Sequence, residues 1–477
     1  MVTKESLNER LVQASYAVRG PILLRAQELE LQGKKIIYCN IGNPLAFKQK
    51  PLTYLRQVLS LLEYPALLND SRALALYPND IVQRARAILA KHPSGTGAYT
   101  QSPGIPFIRR AVAEFIQRRD RIPVDYEHII LTDGASKGAQ AVILALLRQA
   151  NDGFMIPIPQ YPLYSATLTL YGGRQIGYYI DEENGWQLSE EILAVSLERA
   201  NAEGNHPVAI VVINPGNPTG AVLTPGNLRM IINFAKRYAL AIVADEVYQE
   251  NVYQHGASFV SFAKTMHEMG ETSVSLFSLH SVSKGFLGEC GHRGGYLELR
   301  NVPENVMAEF IKLQSISLCA NVDGQIATYL MVSPPQPGDE SYDQYIRERD
   351  EILVDLKEKA EILGRGINKI DGMTVEIPRG AMYAFVRFVL PPGQGVDPAA
   401  MTPQERREYE ARREEDYCLS LLEETGICVV PGSGFGQLPG TLHFRTTFLP
   451  PKEEILDLVS KLAAFHAKYT NREAVIS

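Results

Sequence analysis

The chain has 477 residues, of which 45% are hydrophobic and 21% are charged, a balance typical of soluble globular proteins. At about 150 residues per domain, this length allows about three domains. The 47 basic and 54 acidic residues give a net charge of −7, which argues against a nucleic-acid-binding protein, because phosphate contacts need a basic excess.

Cysteine, histidine and apolar patterning exclude further classes of protein. The five cysteines form no CxxC pair, which favours reduced thiols, and the nine histidines form no HExxH motif, so no metal site is expected. No apolar run approaches the ~18 residues of a transmembrane helix, so no membrane contact is expected. The first 20 residues lack the apolar core of a secretory signal. We therefore predict a cytoplasmic protein; a mitochondrial one stays possible if a presequence was removed.

The first 75 residues are predicted to form an N-terminal arm and part of a small domain. Helical periodicity over Ser6–Gln32 is interrupted at Gly20 and Pro21, which both disfavour a helix interior. Lys34–Ile41 has the pattern of a short strand.

Residues 76–335 are predicted to form a large domain in which strands alternate with helices. The predicted helices are Ser136–Gln149 and Asn227–Tyr238. The predicted strands are His128–Thr132, Phe154–Pro157, Arg174–Ile180, Pro207–Ile213, Leu240–Ala244, Ser273–Leu279 and Gly294–Glu298. This alternation predicts an α/β fold with a doubly wound, mainly parallel sheet, whose ligands bind beyond the carboxyl ends of the strands.

A break rich in proline and glycine, Ser333–Ser341, ends this region. Two charged helices are predicted beyond it, a connecting helix over Tyr342–Ile367 and a second over Gln404–Leu422, whose run of charges is a solvated face. Residues 336–477 are therefore predicted to form, together with the N-terminal arm, a smaller α+β domain assembled from both chain ends.

The stretch Ser278–Gly295 (SLHSVSKGFLGECGHRGG) places Lys284 just after a predicted strand. Taken alone, Lys284 is most simply a surface lysine. The hydroxyl of Ser281 and the guanidinium of Arg293 suit an anionic phosphate, however. A lysine beside them forms a Schiff base if its pKa is lowered. The stretch is therefore moderate evidence for a pyridoxal phosphate site.

Three other strand ends carry polar side chains. Asn214–Gly220 (NPGNPTG) is a turn that presents Asn217, and its two X-Pro steps make a cis bond plausible. Asp245 ends a strand and, if buried, needs a cationic partner such as a protonated pyridine nitrogen; alternatively it caps a helix. Thr132–Gly138 (TDGASKG) brings backbone N–H groups to a helix N-terminus, which suits phosphate but is a weak signal alone.

Together these motifs make the chain resemble class I aminotransferases, which are fold-type I pyridoxal-phosphate enzymes. Within that family it is most similar to alanine aminotransferases, and to fungal ones in its N-terminal segments. The likeness runs from about Tyr16 to Leu449. It rests on stretches such as Tyr16–Gly20 (YAVRG), Ile156–Ala166 (IPIPQYPLYSA), the NPGNPTG turn, the DEVYQENVY stretch that begins at Asp245, and the lysine loop with its downstream arginine.

The resemblance implies a role for each matching residue. Lys284 would hold pyridoxal 5′-phosphate as a Schiff base and carry the proton between substrate and cofactor, Asp245 would pair with the pyridine N–H, and Tyr248 and Asn217 would bond the phenolic oxygen. Tyr161 would stack on the ring, with plain core packing as the alternative. The phosphate would lie on the N–H groups of Ala135, Ser136 and Lys137, with Ser281 and Arg293 completing its shell.

The resemblance also implies substrate and subunit contacts. Arg445 would bind the substrate α-carboxylate, its alternative being a surface arginine, and Gly42 would line the same end of the pocket. Tyr99 would reach the phosphate from a neighbouring subunit, so a homodimer is expected. The implied reaction transfers the amino group of L-alanine to 2-oxoglutarate. An aromatic or broad-specificity aminotransferase, another fold-type I chemistry, and an inactive cofactor-binding paralogue stay open as alternatives.

Overall fold

The computed structural model describes residues 1–16, 20–253, 256, 258–393 and 396–476. Its β-strands are β1 (Ile37–Tyr38), β2 (Ile129–Thr132), β3 (Asp152–Ile158), β4 (Arg174–Tyr179), β5 (His206–Ile213), β6 (Ala241–Asp245), β7 (Leu276–Ser281), β8 (Gly295–Arg300), β9 (Met373–Thr374), β10 (Tyr383–Phe388), β11 (Ile427–Cys428), β12 (Val430–Pro431) and β13 (Leu442–Thr447).

The α-helices cover both flanking regions and the central block. They are α1 (Glu9–Gln13), α2 (Pro21–Leu31), α3 (Thr53–Glu63), α4 (Ser71–Leu74), α5 (Asn79–Lys91), α6 (Pro106–Asp120), α7 (Ala135–Leu146), α8 (Leu163–Tyr171), α9 (Glu190–Ala202), α10 (Pro225–Arg237), α11 (Phe262–Glu268), α12 (Glu304–Ile316), α13 (Val322–Val332), α14 (Tyr342–Ile367), α15 (Pro403–Thr425) and α16 (Lys452–Ile476). Among the helices described, none is both long and apolar enough to cross a bilayer.

The large sheet has seven strands in the order β2-β8-β7-β6-β5-β3-β4. The neighbours from β7 to β4 pair in parallel, and β8 alone runs antiparallel to both β2 and β7. The predicted α/β fold with a mainly parallel sheet is thereby confirmed. Because parallel strands all end at one edge, the loops after β5, β6 and β7 meet there.

Strand β5 shows why the sheet is covered on both faces. Val211 and Ile213 pack into one core with helices α7 and α8, whereas Ile210 and Val212 pack into a second core with α9 and α10. Successive side chains of a strand point to opposite faces, so a continuous apolar run such as this one requires helices on both sides.

The predicted elements agree with the structure best where an apolar pattern is long. The predicted helix Tyr342–Ile367 is helix α14 to the residue, whereas the predicted strand Lys34–Ile41 shortens to the two residues of β1. The predicted helix Ser136–Gln149 ends three residues early, because the Asp152 carboxylate accepts hydrogen bonds from the N–H groups of Arg148 and Gln149 at 2.7 and 2.9 Å.

A small antiparallel sheet in the order β12-β13-β10-β9 forms from C-terminal residues. Strand β1 of the N-terminal arm pairs in parallel with β11, which joins the two ends of the chain. Helix α3, by contrast, buries Leu55, Val58 and Leu62 in a core shared with α5, α6 and α13. The domain bounds 1–75, 76–335 and 336–477 stay predictions.

Candidate active site

A cavity of about 440 Å³ lies at the carboxyl ends of β5, β6 and β7, between the large and small sheets. The predicted residues that line it are Gly42, Ala135, Ser136, Tyr161, Asn217, Asp245, Tyr248, Ser281, Lys284, Arg293 and Arg445. Among the other lining residues, which sequence reasoning did not assign to the site, are Tyr16, Ser283, Cys290 and Tyr383. The predicted strand-end loops therefore do converge on one cavity.

Lys284 lines this cavity. Its Nζ donates a hydrogen bond to the carbonyl oxygen of Gly42 at 2.6 Å and lies 5.9 Å from the centre of the Tyr248 ring. A Cβ on Gly42 would lie 1.9 Å from Tyr383 Oη and 3.2 Å from Lys284 Nζ. Only glycine therefore lets the N-terminal loop pass this close to the lysine.

Tyr383 begins strand β10 and packs edge-on against Tyr248, with the ring centres 6.2 Å apart. Burial by itself would raise the pKa of Tyr383, but the positive charges of Lys284 and Arg445 outweigh it and hold the pKa below its ordinary value. The Tyr383 hydroxyl thus lies close to the positive charges of both Lys284 and Arg445. Its neighbours in sequence (AMYAFV) give no pattern from which this role could have been predicted.

Asp245 ends strand β6 and is buried. Tyr164 donates to its Oδ2 at 2.8 Å, whereas Oδ1 meets no hydrogen-bond partner among the residues that the structure describes. Burial raises the pKa of Asp245 to about 6, although the Tyr164 hydrogen bond opposes the rise. A buried carboxylate oxygen without a partner is costly, so Oδ1 is placed to accept from a cationic N–H group.

Helix α7 begins at Ala135, so its first N–H groups have no acceptor within the helix. The capping residue, Gly134, has φ +74° and no side chain to satisfy them. A Cβ there would lie 2.6 Å from Arg293 Nη2, so glycine also admits the guanidinium. The Lys137 N–H donates to the carbonyl oxygen of Gly134 at 3.2 Å, and the exposed Lys137 side chain does not line the cavity.

Arg293 closes this helix end. Its Nη2 donates to the carbonyl oxygen of Asp133 at 3.1 Å and to Ser136 Oγ at 3.3 Å, and its Nη1 donates to the carbonyl oxygen of Cys290 at 2.9 Å. Ser281 Oγ lies 2.9 Å from Ser283 Oγ. Hydroxyl groups, helix N–H groups and a guanidinium together form a cradle for phosphate.

Arg445 is 1% exposed, which rules out a surface arginine. Its guanidinium lies 4.1 Å from the centre of the Tyr383 ring and 4.6 Å from that of Phe435. Nη1 donates to Asn217 Oδ1 at 3.2 Å, and Nη2 donates to the carbonyl oxygen of Asn40. The buried Nε finds no acceptor among the described residues. Such a cation is suited to bind a carboxylate.

The arm meets the segment before helix α8 at the wall of this cavity. Tyr16 Oη lies 2.8 Å from Tyr161 Oη, and their rings form an edge-on pair with centres 6.4 Å apart. Tyr161 thus lines the cavity and is not only a core residue. Tyr16 belongs to the YAVRG stretch noted above, whose residues 17–19 lie outside the described part of the chain.

Tyr99 lies away from this cavity and is 77% exposed, beside a separate groove lined by Lys91, Phe107 and Tyr329. Within one chain, therefore, Tyr99 does not reach the site. Among the described residues, no group of three histidine, cysteine, aspartate or glutamate side chains is placed to hold a metal ion.

A lysine after a parallel strand, a buried carboxylate with one oxygen that no described residue bonds, and a phosphate cradle are the features that an enzyme with an aldehyde cofactor on a lysine requires. Comparison with family models gives the same class: the model described as aminotransferase class I and II matches residues 68–462. The chain belongs to this family.

Relatives match over nearly the whole chain. A probable mitochondrial alanine aminotransferase of Dictyostelium discoideum is 46% identical over 99% of this chain and 90% of its own. Glutamate–glyoxylate aminotransferase 1 of Arabidopsis thaliana is 45% identical over 98% of this chain and 96% of its own. An inactive alanine aminotransferase of Saccharomyces cerevisiae is 43% identical over 98% of this chain and 95% of its own.

A solved structure shows the same fold. The alanine aminotransferase of Pyrococcus furiosus superposes with a TM-score of 0.76 at 26% identity, covering 97% of this chain and all of that one. Enzymes of this family use pyridoxal phosphate, and this protein is a pyridoxal-phosphate-dependent aminotransferase. The residues present fit the cofactor, because the free Oδ1 of Asp245 offers an acceptor to its pyridine N–H and the cradle at α7 offers donors to its phosphate.

Proposed function

We propose that the enzyme transfers the amino group of L-alanine reversibly to 2-oxoglutarate, giving pyruvate and L-glutamate. The observation that carries this proposal is the full-length similarity, at 43 to 46% identity, to relatives named alanine aminotransferase. The buried Arg445 supports it, since both amino donor and oxo-acid acceptor bring an α-carboxylate.

Lys284 and Asp245 are the two residues proposed to take part in the chemical step. When bound, pyridoxal phosphate supplies an electron sink for the charge that develops at the substrate Cα. Lys284 Nζ would be the amine that holds the cofactor and, when it is free, the base that moves the proton at Cα; in the structure it donates a hydrogen bond to the carbonyl oxygen of Gly42. Asp245 Oδ1 keeps the ring nitrogen protonated and thereby maintains that sink.

Other lining residues orient the cofactor and substrate. In this proposal Tyr248 and Asn217 bond the phenolic oxygen, and Tyr161 covers one face of the ring. Ala135, Ser136, Ser281 and Arg293 bind the phosphate. Arg445 binds the α-carboxylate beside Gly42, with Asn217 Oδ1 holding one end of its guanidinium. We also assign Tyr248 to the catalytic residues, because its ring lies beside Lys284 Nζ.

The subunit arrangement belongs to the same proposal. We infer a homodimer in which Tyr99, exposed and remote from the cavity of its own chain, reaches the phosphate cradle of the neighbouring subunit. We also propose a cytoplasmic enzyme. Several relatives are named mitochondrial, and a mitochondrial location agrees equally well with the site.

Alanine as sole substrate tests the reaction. Mixing alanine with the cofactor-loaded protein should convert the visible spectrum from the pyridoxal to the pyridoxamine form, and 2-oxoglutarate should restore it, as a ping-pong mechanism requires. Lys284→Ala should abolish turnover. A spectrum that alanine leaves unchanged contradicts the alanine assignment.

Two kinds of relative suggest alternative outcomes of this experiment. Restoration by glyoxylate but not by 2-oxoglutarate would place the enzyme with the glutamate–glyoxylate relatives. Normal cofactor binding without conversion by any amino acid would place it with the inactive relative. Conversion by aromatic amino acids in preference to alanine would favour an aromatic or broad-specificity enzyme.

A further inference from the structure

One face of the small sheet carries a row of side chains that begins at Arg445. Strands β10 and β13 pair so that Phe385 lies opposite Arg445 and Arg387 lies opposite His443. Directly opposed residues of an antiparallel pair share a face, as do residues two apart on one strand. Arg445, His443, Phe385 and Arg387 therefore project from the same side of the sheet.

The side chains of this row touch one another. The Phe385 ring stacks on the His443 imidazole, with centres 4.6 Å apart and planes 6° from parallel. Phe435, which lies 4.6 Å from the Arg445 guanidinium, packs edge-on against Phe385 with centres 5.9 Å apart. Contact is therefore continuous from Arg445 through two aromatic rings to His443.

The row ends on a loop of the large sheet. Glu182 lies just beyond β4, and its carboxylate oxygens lie 2.9 and 3.0 Å from His443 Nε2. Because a carboxylate only accepts, Nε2 is the donor. Arg387 Nη1 lies 3.7 Å from the same carboxylate, and Trp186 of the same loop packs edge-on against Phe385 at 5.9 Å.

The His443 side chain is 2% exposed, so this contact is shielded from solvent on the histidine side, while the Glu182 side chain is 23% exposed. The backbone of the strand is held separately, since the His443 N–H donates to Glu414 at 2.6 Å. Glu182 therefore holds the side-chain row and not the strand itself.

We propose that Glu182, acting through His443 and Phe385, is a positioning residue for Arg445 and sets the affinity of the enzyme for the α-carboxylate of its substrates. This inference rests on the proposed role of Arg445. Within the described part of the chain the guanidinium has two hydrogen-bond partners, Asn217 and Asn40, and its flat faces lie against the Tyr383 and Phe435 rings. Loss of the Glu182 contact frees His443 to turn, and the stacked rings follow.

The expected signature is in binding and not in the chemical step. Arg445 holds the carboxylate equally before and during the proton transfer, so a misplaced guanidinium raises KM while kcat changes little. A displacement well below 1 Å is enough to matter, and we expect Glu182→Ala to raise KM for alanine and for 2-oxoglutarate about tenfold, with kcat within about threefold.

Glu183 provides a matched control. It adjoins Glu182, contacts Arg387 as well, and its side chain is 77% exposed, but it does not contact His443. Glu183→Ala should therefore leave both KM values unchanged. Because Glu182 and His443 act as one unit here, the double variant Glu182→Ala/His443→Gln should show no larger rise than His443→Gln alone.

Titration calorimetry of the cofactor-loaded protein with glutarate, a dicarboxylate without the oxo group, reads the carboxylate affinity directly. Weaker glutarate binding in Glu182→Ala than in Glu183→Ala supports the proposal, and equal binding in the two variants overturns it. Absence of turnover in the wild-type protein would contradict the proposed reaction, yet the glutarate comparison would still decide the role of Glu182.

Discussion

Asp245 shows what a single buried residue imposes on this protein. Its carboxylate is buried, one of its oxygens meets no partner in the part of the chain that the structure describes, and burial raises its pKa to about 6. In the unfolded chain an aspartate titrates near pH 4, so the folded cofactor-free protein binds the proton more tightly. Ionised Asp245 therefore destabilises that form, an arrangement that makes sense only if a cationic group later pairs with it.

We predict that Asp245→Asn stabilises the cofactor-free protein in a pH-dependent way. Below about pH 4 the aspartate is protonated in both states, so the two proteins should be equally stable. The advantage of the variant should grow between about pH 4 and pH 6 and then stay at about 3 kcal/mol, since one pKa unit corresponds to about 1.4 kcal/mol. Urea unfolding of both proteins from pH 4 to 8 measures it.

The difference in free energy of unfolding between the two proteins reports on the titration of Asp245 alone. Burial also raises the pKa of Glu246 and of Glu414 to about 7, but these carboxyls titrate in both proteins and cancel. Added cofactor should reverse the order, because only the aspartate gains a charged partner. If the difference in free energy of unfolding between the two proteins did not depend on pH, ionisation of Asp245 would not destabilise the folded protein, and the prediction would be wrong.

At the scale of elements, the phosphate cradle joins the N-terminus of α7 to the loop after β7. We predict that Arg293→Lys lowers the affinity for pyridoxal phosphate about 10- to 100-fold, because a single ammonium cannot replace the separate hydrogen bonds of Nη1 and Nη2. Fluorescence titration of the cofactor-free protein measures that affinity.

Lys137→Gln is the matched control at the same helix end. The Lys137 side chain is exposed and outside the cavity, and its N–H is bonded to Gly134, so the variant should bind the cofactor nearly as well as the wild type. A loss as large as that of Arg293→Lys would show that the Lys137 side chain also contributes to phosphate binding.

The elements also show how far sequence patterns predict the site. Asn217, Asp245 and Lys284 follow apolar runs, and the geometry of a parallel sheet brings such strand ends together. Tyr383 lies in the antiparallel sheet, where no comparable rule places its side chain, and Ser283 is one more serine in the lysine loop. Strands β1 and β11 have two residues each, which is too short for an alternation of apolar and polar residues to predict their pairing.

At the scale of the whole molecule, a chain with a net charge of −7 contains a cavity lined by several cationic side chains. Lys284, Arg293 and Arg445 all line it, as a phosphate and carboxylate substrates require. The small sheet supplies Arg445 and Tyr383, while the large sheet, the loops that follow its strands and helix α7 supply the residues proposed to hold the cofactor. The cavity is therefore complete only when both ends of the chain are folded onto the central block.

The proposed role of Tyr99 involves two subunits, and mixing of variant subunits tests that role. If Tyr99 acts across a dimer, Tyr99→Ala and Lys284→Ala each impair the homodimer. In a mixed dimer, however, the subunit with Tyr99→Ala keeps its Lys284, and its partner supplies the intact Tyr99 to that site. After unfolding and refolding of equal amounts, half of the dimers are mixed and each has one complete site, so activity should recover to about a quarter of wild type. If Tyr99 served its own chain, every mixed site would lack one of the two residues, and mixing would add nothing beyond the average of the parents.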